Sequence, residues 1–176
     1  MLPEPDRHRP IATPLLPCLP PADRAPTPSV SQRLRVLVVM GADGTGGNRL
    51  RRLLRALGRR AWSMRLDIEI VCGRNERLLR TLGHDVDQGG FGLHLKVIGF
   101  ATDLPHRMAR ADICLLRASP LVMTEVAAAG VPTLAFDWHA HEAANARLLE
   151  SWGCGRASKS VHRVVDTLEE WVLAEG

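Results

Sequence analysis

From Arg35 onward, short aliphatic runs alternate with amphipathic stretches, and the two periodicities differ enough to assign each segment. Residues 35–40 (RVLVVM) form a continuous aliphatic run of the kind buried on both faces of a parallel sheet. Leu50, Leu53, Leu54 and Leu57 recur at helical spacing. They predict a helix over 47–60 that turns Arg49, Arg52, Arg55, Arg59 and Arg60 outward. The pattern continues with a strand at 67–72, a helix at 75–82, a connection carrying Gly89, Gly90 and Gly92, and a strand at 93–98. Asp103 is suited to cap a short helix through Arg110. A strand at 112–116, a helix from about Leu121 stopped by Gly130, a strand at 132–136 and helices at 141–151 and 161–174 complete the chain. Strand and helix alternate five times with short connections, which predicts an α/β fold, a single doubly wound parallel sheet.

In such a sheet, ligands bind beyond the carboxyl ends of the strands. Four loops fall there: GADGTGG, GFATD, RASPL and FDWHAHE. The most informative is RASPLVMTEVAAAG, where a strand meets a small-residue turn and a helix with one acid, Glu125, a single turn inside it. The free N–H groups and positive dipole end of a helix attract phosphate. A carboxylate one turn further in can accept hydrogen bonds from both ribose hydroxyls, and in an otherwise apolar helix it is costly without a ligand. A surface Glu is the plain alternative. In GADGTGG, Gly41 and Gly44 allow close approach of backbone to a phosphate or sugar, but the spacing is not G-x-G-x-x-G and the Lys of a P-loop is absent. A simple strand-to-helix turn explains it equally well. Phe100 is placed either to lie beside a base or to fill the core.

Composition narrows the function classes. With 45% apolar residues, the 176-residue chain has material for one domain of ordinary size plus a tail. Pro3, Pro5, Pro10, Pro14, Pro17, Pro20, Pro21, Pro26 and Pro28 crowd residues 1–33 and read as a Pro-rich linker or disordered tail ahead of a domain at 34–176. A net charge of +4 rests almost wholly on arginine, Lys96 and Lys159 being the lysines. That skew is as well explained by a GC-rich genome as by phosphate binding, so nucleic acid is not the expected partner. The arginine face of the first helix reads as a solvated surface, with membrane or partner contact as its alternative. Cys18, Cys72, Cys114 and Cys154 stand far apart with no C-x-x-C pair, and they suggest buried thiols in a reducing compartment. His139-Ala140-His141 has no companion ligand cluster, so no metal is expected. No run of about 18 apolar residues occurs and no signal-peptide pattern opens the chain. A cytoplasmic location, with peripheral contact at the inner face of a membrane left open, is the expectation.

Several segments together resemble the C-terminal donor-binding half of GT-B glycosyltransferases of the MurG and monogalactosyldiacylglycerol synthase type. VLVVMGADGTGG is similar to the first strand and glycine turn, and IVCGRNERL to the second strand with its Cys-Gly-Arg-Asn. VIGFATDLPHRMARADICL resembles the Gly-Phe loop, short helix and fourth strand, and RASPLVMTEVAAAGVP with HEAANA resembles the signature of both branches. The match spans about residues 35–155. It implies a Rossmann-like domain that binds a UDP-sugar. By the same resemblance, Gly41, Gly44 and Ser119 would belong to the substrate-binding site, and Leu121 and Val122 would offer backbone N–H groups to the diphosphate. Glu125 would hold the ribose and Phe100 and Ala101 would meet the uracil, while His141, Glu142 and Asn145 would face the donor sugar.

Departures from the pattern accompany the match. Ala42 and Ser119-Pro120 stand where glycines are usual, Val122 where Thr is common, and His141 where Gln is usual. GT-B enzymes place the acceptor site and, in this branch, the catalytic base in an N-terminal domain with no counterpart here. The resemblance therefore implies no catalytic residue in this chain, no cofactor, and a separate acceptor-domain protein as partner. The function expected is the donor half of an inverting hexosyltransferase acting on a lipid or glycan acceptor, in glycolipid or cell-envelope synthesis. A non-catalytic or degenerate UDP-sugar-binding module is the alternative.

Overall fold

A computed structural model of the chain describes residues 33–40 and 46–174. The Pro-rich segment, up to residue 32, and the turn containing Gly41 and Gly44 lie outside the described residues. Six parallel strands, β1 (Arg33–Val39), β2 (Arg65–Val71), β3 (His94–Ile98), β4 (Ile113–Arg117), β5 (Thr133–Asp137) and β6 (Gly155–Ala157), form one sheet in the order β3-β2-β1-β4-β5-β6. The connections are α1 (Gly47–Gly58), α2 (Glu76–Asp87), α3 (Leu104–Arg110), α4 (Pro120–Ala129), a 3-10 turn (Ala140–Glu142) running into α5 (Ala143–Ser151), and α6 (Val161–Ala174). The doubly wound, Rossmann-like sheet expected from the alternation is what forms.

The aliphatic run of β1 is buried on both faces because successive side chains point to opposite sides. Val36, Val38 and Met40 join one core with Leu50, Leu53, Leu54 and Leu57 of α1, Leu78 and Leu82 of α2, and Val164, Val165, Leu168 and Val172 of α6. Leu37 and Val39 join the other with Met108 of α3, Val122, Met123 and Val126 of α4, and Ala146 and Leu149 of α5. Each leucine of α1 is fully buried and contributes roughly 1.5–3 kcal/mol. Cys72 and Cys114 are buried, and burial pushes the Cys72 thiol up to about 11, so it stays protonated and unreactive.

Differences from the sequence reading have local causes. α2 runs through Gly83 to Asp87, five residues beyond the expected end, because Leu78 and Leu82 anchor it and a lone glycine costs a helix only about 1 kcal/mol. Asn75 caps it, its Oδ1 accepting from the Leu78 N–H at 2.8 Å. Asp103 occupies the N-cap position of α3 without capping it, since its carboxylate accepts from Arg107 Nε at 2.7 Å instead. β6 was not expected. Its three residues carry no periodic signal, and the edge strand forms because Gly155 lets the backbone pack against Thr133, where an added Cβ would lie 1.8 Å from the carbonyl oxygen.

Candidate functional site

β1 and β4 lie side by side although their connections run to opposite faces, and the crevice at this switch of direction is where doubly wound sheets hold ligands. The loop after β4 flanks it. Beyond β4 the chain passes through Ala118 and Ser119 and enters α4 at Pro120, which occupies the first helical position, where its missing N–H costs nothing. The first bond of the helix runs from the Met123 N–H to the Ser119 carbonyl at 3.0 Å, so the N–H groups of Leu121 and Val122 stand ahead of the ladder at its positive end. Leu121 is exposed, whereas the Val122 side chain is buried in the second core. Position 122 thus has only its backbone to offer a ligand. Ser119 has ordinary extended backbone (φ −76°, ψ 146°), so its side chain imposes no strain on this turn.

Glu125 follows one turn inside α4 and is half-buried. Desolvation by its surroundings pushes its carboxyl above the ordinary value. The acid is neither sunk in the core nor projecting into bulk water, a placement suited to a carboxylate that completes its hydrogen bonding with a ligand. Phe100, one residue past Gly99 at the end of β3, is 56% exposed, which removes the core-filling reading, and the Arg74 guanidinium lies over its ring at 5.1 Å. Ala101 packs at the margin of the second core.

The segment after β5 is fastened to the end of β4 from two sides. Arg117 and Glu142, each almost wholly buried, form a bidentate pair, with Nε to Oε2 and Nη2 to Oε1 both at 3.2 Å. Glu142 Oε2 also accepts from the His139 N–H at 2.7 Å. Burial alone would raise the Glu142 carboxyl, but the His139 N–H and the Arg117 guanidinium outweigh it and hold the group below its ordinary value. Asn145 Nδ2 donates to the Ala118 carbonyl at 3.0 Å, a second tie between α5 and the turn before α4. The register of β4 against β5 shifts between Leu116 and Arg117, a bulge that re-aims the strand end where the pair forms.

Of the residues expected at a sugar, His141 is exposed, its ring stacked on that of His139 at 5.5 Å, and Asn145 is half-buried. Glu142 turns its carboxylate inward to Arg117. Arg117 itself was not singled out from the sequence. Its signal was there, as a lone base ending an apolar strand, which demands a buried acid somewhere else in the chain.

No family model matches the chain. It is 28% identical over 142 residues to a probable monogalactosyldiacylglycerol synthase of Glycine max, covering 77% of this chain and 26% of the relative. Against monogalactosyldiacylglycerol synthase 1 of Arabidopsis thaliana the identity is 26% over 148 residues, covering 81% and 27%. Among solved structures, MurG of Acinetobacter baumannii superposes with a TM-score of 0.66 at 25% identity, covering 81% of this chain and 42% of that one. The chain thus spans about a quarter of the length of the plant relatives. The resemblance read from the motifs stands: over most of its length and at modest identity, the chain is homologous to monogalactosyldiacylglycerol synthases and to MurG, both GT-B glycosyltransferases, and its fold matches the C-terminal domain of MurG.

Proposed function

We propose that residues 34–176 are the UDP-sugar-binding half of an inverting hexosyltransferase acting on a lipid or glycan acceptor, completed by a separate acceptor-binding domain. The observation that carries this reading is Glu125, a partly desolvated carboxylate one turn inside the helix that opens at the switch point of the sheet. The Leu121 and Val122 N–H groups receive the diphosphate, Glu125 accepts from the ribose hydroxyls, and Phe100 with Ala101 borders the base. His141 and Asn145 face the sugar, with Glu142 holding their segment in place. The acceptor oxygen displaces UDP at the anomeric carbon while the α4 dipole and backbone donors stabilise the charge gathering on the leaving diphosphate. The proton of the acceptor hydroxyl passes to a base on the other domain, so this chain alone transfers sugar slowly or not at all, and transfer appears on adding the acceptor-domain protein. Membrane contact is peripheral in this reading: among the described residues no helix is long and apolar enough to cross a membrane.

Calorimetric titration with UDP tests the proposal. Hydrogen bonds to a charged group contribute about 1.5–3 kcal/mol, so Glu125→Ala is expected to weaken UDP binding roughly 10- to 100-fold. A parent chain that binds no UDP sinks the donor reading. That result would favour a degenerate module, to which Val122 points, since its side chain faces the core and leaves no hydroxyl at the helix end.

A pH series provides a second check. Ribose hydroxyls donate to the ionised carboxylate, while burial in the free protein disfavours that form. Affinity is therefore expected to fall as pH drops through the raised value of Glu125 and to level off above it. Glu125→Gln should flatten this dependence, and a parent affinity constant across the acid range would remove Glu125 from the contact.

A further inference from the structure

The turns after β2 and β3 are built as one unit. The Cys72 N–H donates to the Ile98 carbonyl at 2.9 Å and ties the two strand ends together. A glycine follows each of these residues, and the two glycines pack closely: a Cβ added at Gly99 would lie 3.8 Å from the Gly73 carbonyl oxygen. Asn75 holds the first turn by capping α2. Arg74 and Phe100, the next residues along, are thereby brought together, with 5.1 Å from the guanidinium carbon to the ring centroid. Both are exposed. Among the described residues the Arg74 guanidinium enters no hydrogen bond or ion pair, so the ring is its partner.

From this geometry we propose that Arg74 is a positioning residue: it braces the Phe100 ring from behind and holds it as a wall for the base of the bound nucleotide. Arg74 leads into α2, whose Leu78 and Leu82 lie in the first core, whereas Ala101 and α4 pack in the second. A base whose ribose is held by Glu125 of α4 therefore meets the ring on the face turned away from Arg74. A ring standing free in solvent has to be immobilised when the base stacks on it. One already held by a cation–π contact has less freedom to lose. Because every base has a π face, the wall contributes affinity rather than a choice among bases. The inference rests on the donor reading.

The test is calorimetric titration of UDP into the full chain and its variants, each checked for the circular dichroism and thermal midpoint of the parent. Arg74→Gln is expected to weaken binding about 2- to 10-fold, the range for immobilising one flexible side chain. Arg74→Lys, which keeps a cation for the ring, should retain part of that affinity. Phe100→Leu leaves an apolar wall without the ring and is expected to weaken binding roughly fivefold, the lower end for a lost stacking partner. In that background Arg74→Gln should have no further effect, since Arg74 acts through the ring. Unchanged affinity in Arg74→Gln overturns the proposal, as does a lysine variant that binds no better than the glutamine one. So does an equal loss from Arg74→Gln with and without the ring, which would make Arg74 a direct contact of the nucleotide. A parent chain that binds no UDP removes the donor reading and this inference with it, whereas UDP binding that ignores Arg74 removes the inference alone.

Discussion

Arg117→Ala is expected to lower the unfolding free energy by about 3–5 kcal/mol, because it leaves the Glu142 carboxylate buried without its cation. Glu142→Ala should cost a similar amount, and the double variant much less than the sum, since the two side chains form one bidentate unit. Replacing both with apolar residues of similar size, Arg117→Met with Glu142→Leu, should restore most of the stability. UDP affinity is not expected to return with it, because the pair and the Glu142 bond to the His139 N–H fix the segment carrying His141 and Asn145. Denaturant unfolding and UDP titration of these four variants separate the two roles. Full recovery of affinity in the apolar double variant would reduce the pair to a stability element. The pH dependence has a definite sign: the folded carboxyl of Glu142 lies below its unfolded value, so its stabilisation is present above the unfolded value and is lost as pH falls through the folded one. Glu142→Gln should therefore make stability less sensitive to acid.

Gly58→Ala is expected to destabilise by about 3 kcal/mol, at the upper end for overpacking, although alanine is the better helix former. A Cβ at residue 58 would lie 1.7 Å from the Phe91 carbonyl oxygen and 2.9 Å from its carbon, and a backbone carbonyl cannot swing aside as a side chain can. Either α1 or the turn at Phe91 must move, pulling on fully buried Leu57 or on buried Phe91. The control is Gly83→Ala in α2, where the added Cβ meets open space and a gain of about 0.5–1 kcal/mol is expected from helix propensity and the lost freedom of the unfolded chain. Thermal melts of the two variants should shift in opposite directions. A Gly58→Ala protein as stable as its parent would mean that α1 and the Phe91 turn do not touch as described.

The two glycines show where a sequence stops being readable. Both sit in leucine-rich helical stretches, and no local pattern tells them apart. The difference is a carbonyl oxygen more than thirty residues away in the chain. The same holds for Arg117 and Glu142, separated by 25 residues and legible only as a base and an acid. Glu142 was read as a residue facing the sugar, and the structure gives its carboxylate to Arg117. Phe100 had two equal readings until its exposure removed the core-filling one. The arginine face of α1 was visible at once, but that Asp166 and Glu169 of α6 bind Arg60 was not.

What the sequence determined alone is whatever repeats over short range: the run RVLVVM and the leucine spacing of α1, hence strands, helices and their alternation, and hence the doubly wound sheet with its loops on one edge. It also placed Glu125 one turn inside α4, because helix position follows from local periodicity. Only the tertiary structure decided how strongly that acid is desolvated, which charges meet, and where β6 and Gly58 pack, because burial and pairing depend on distances between segments that no local pattern encodes.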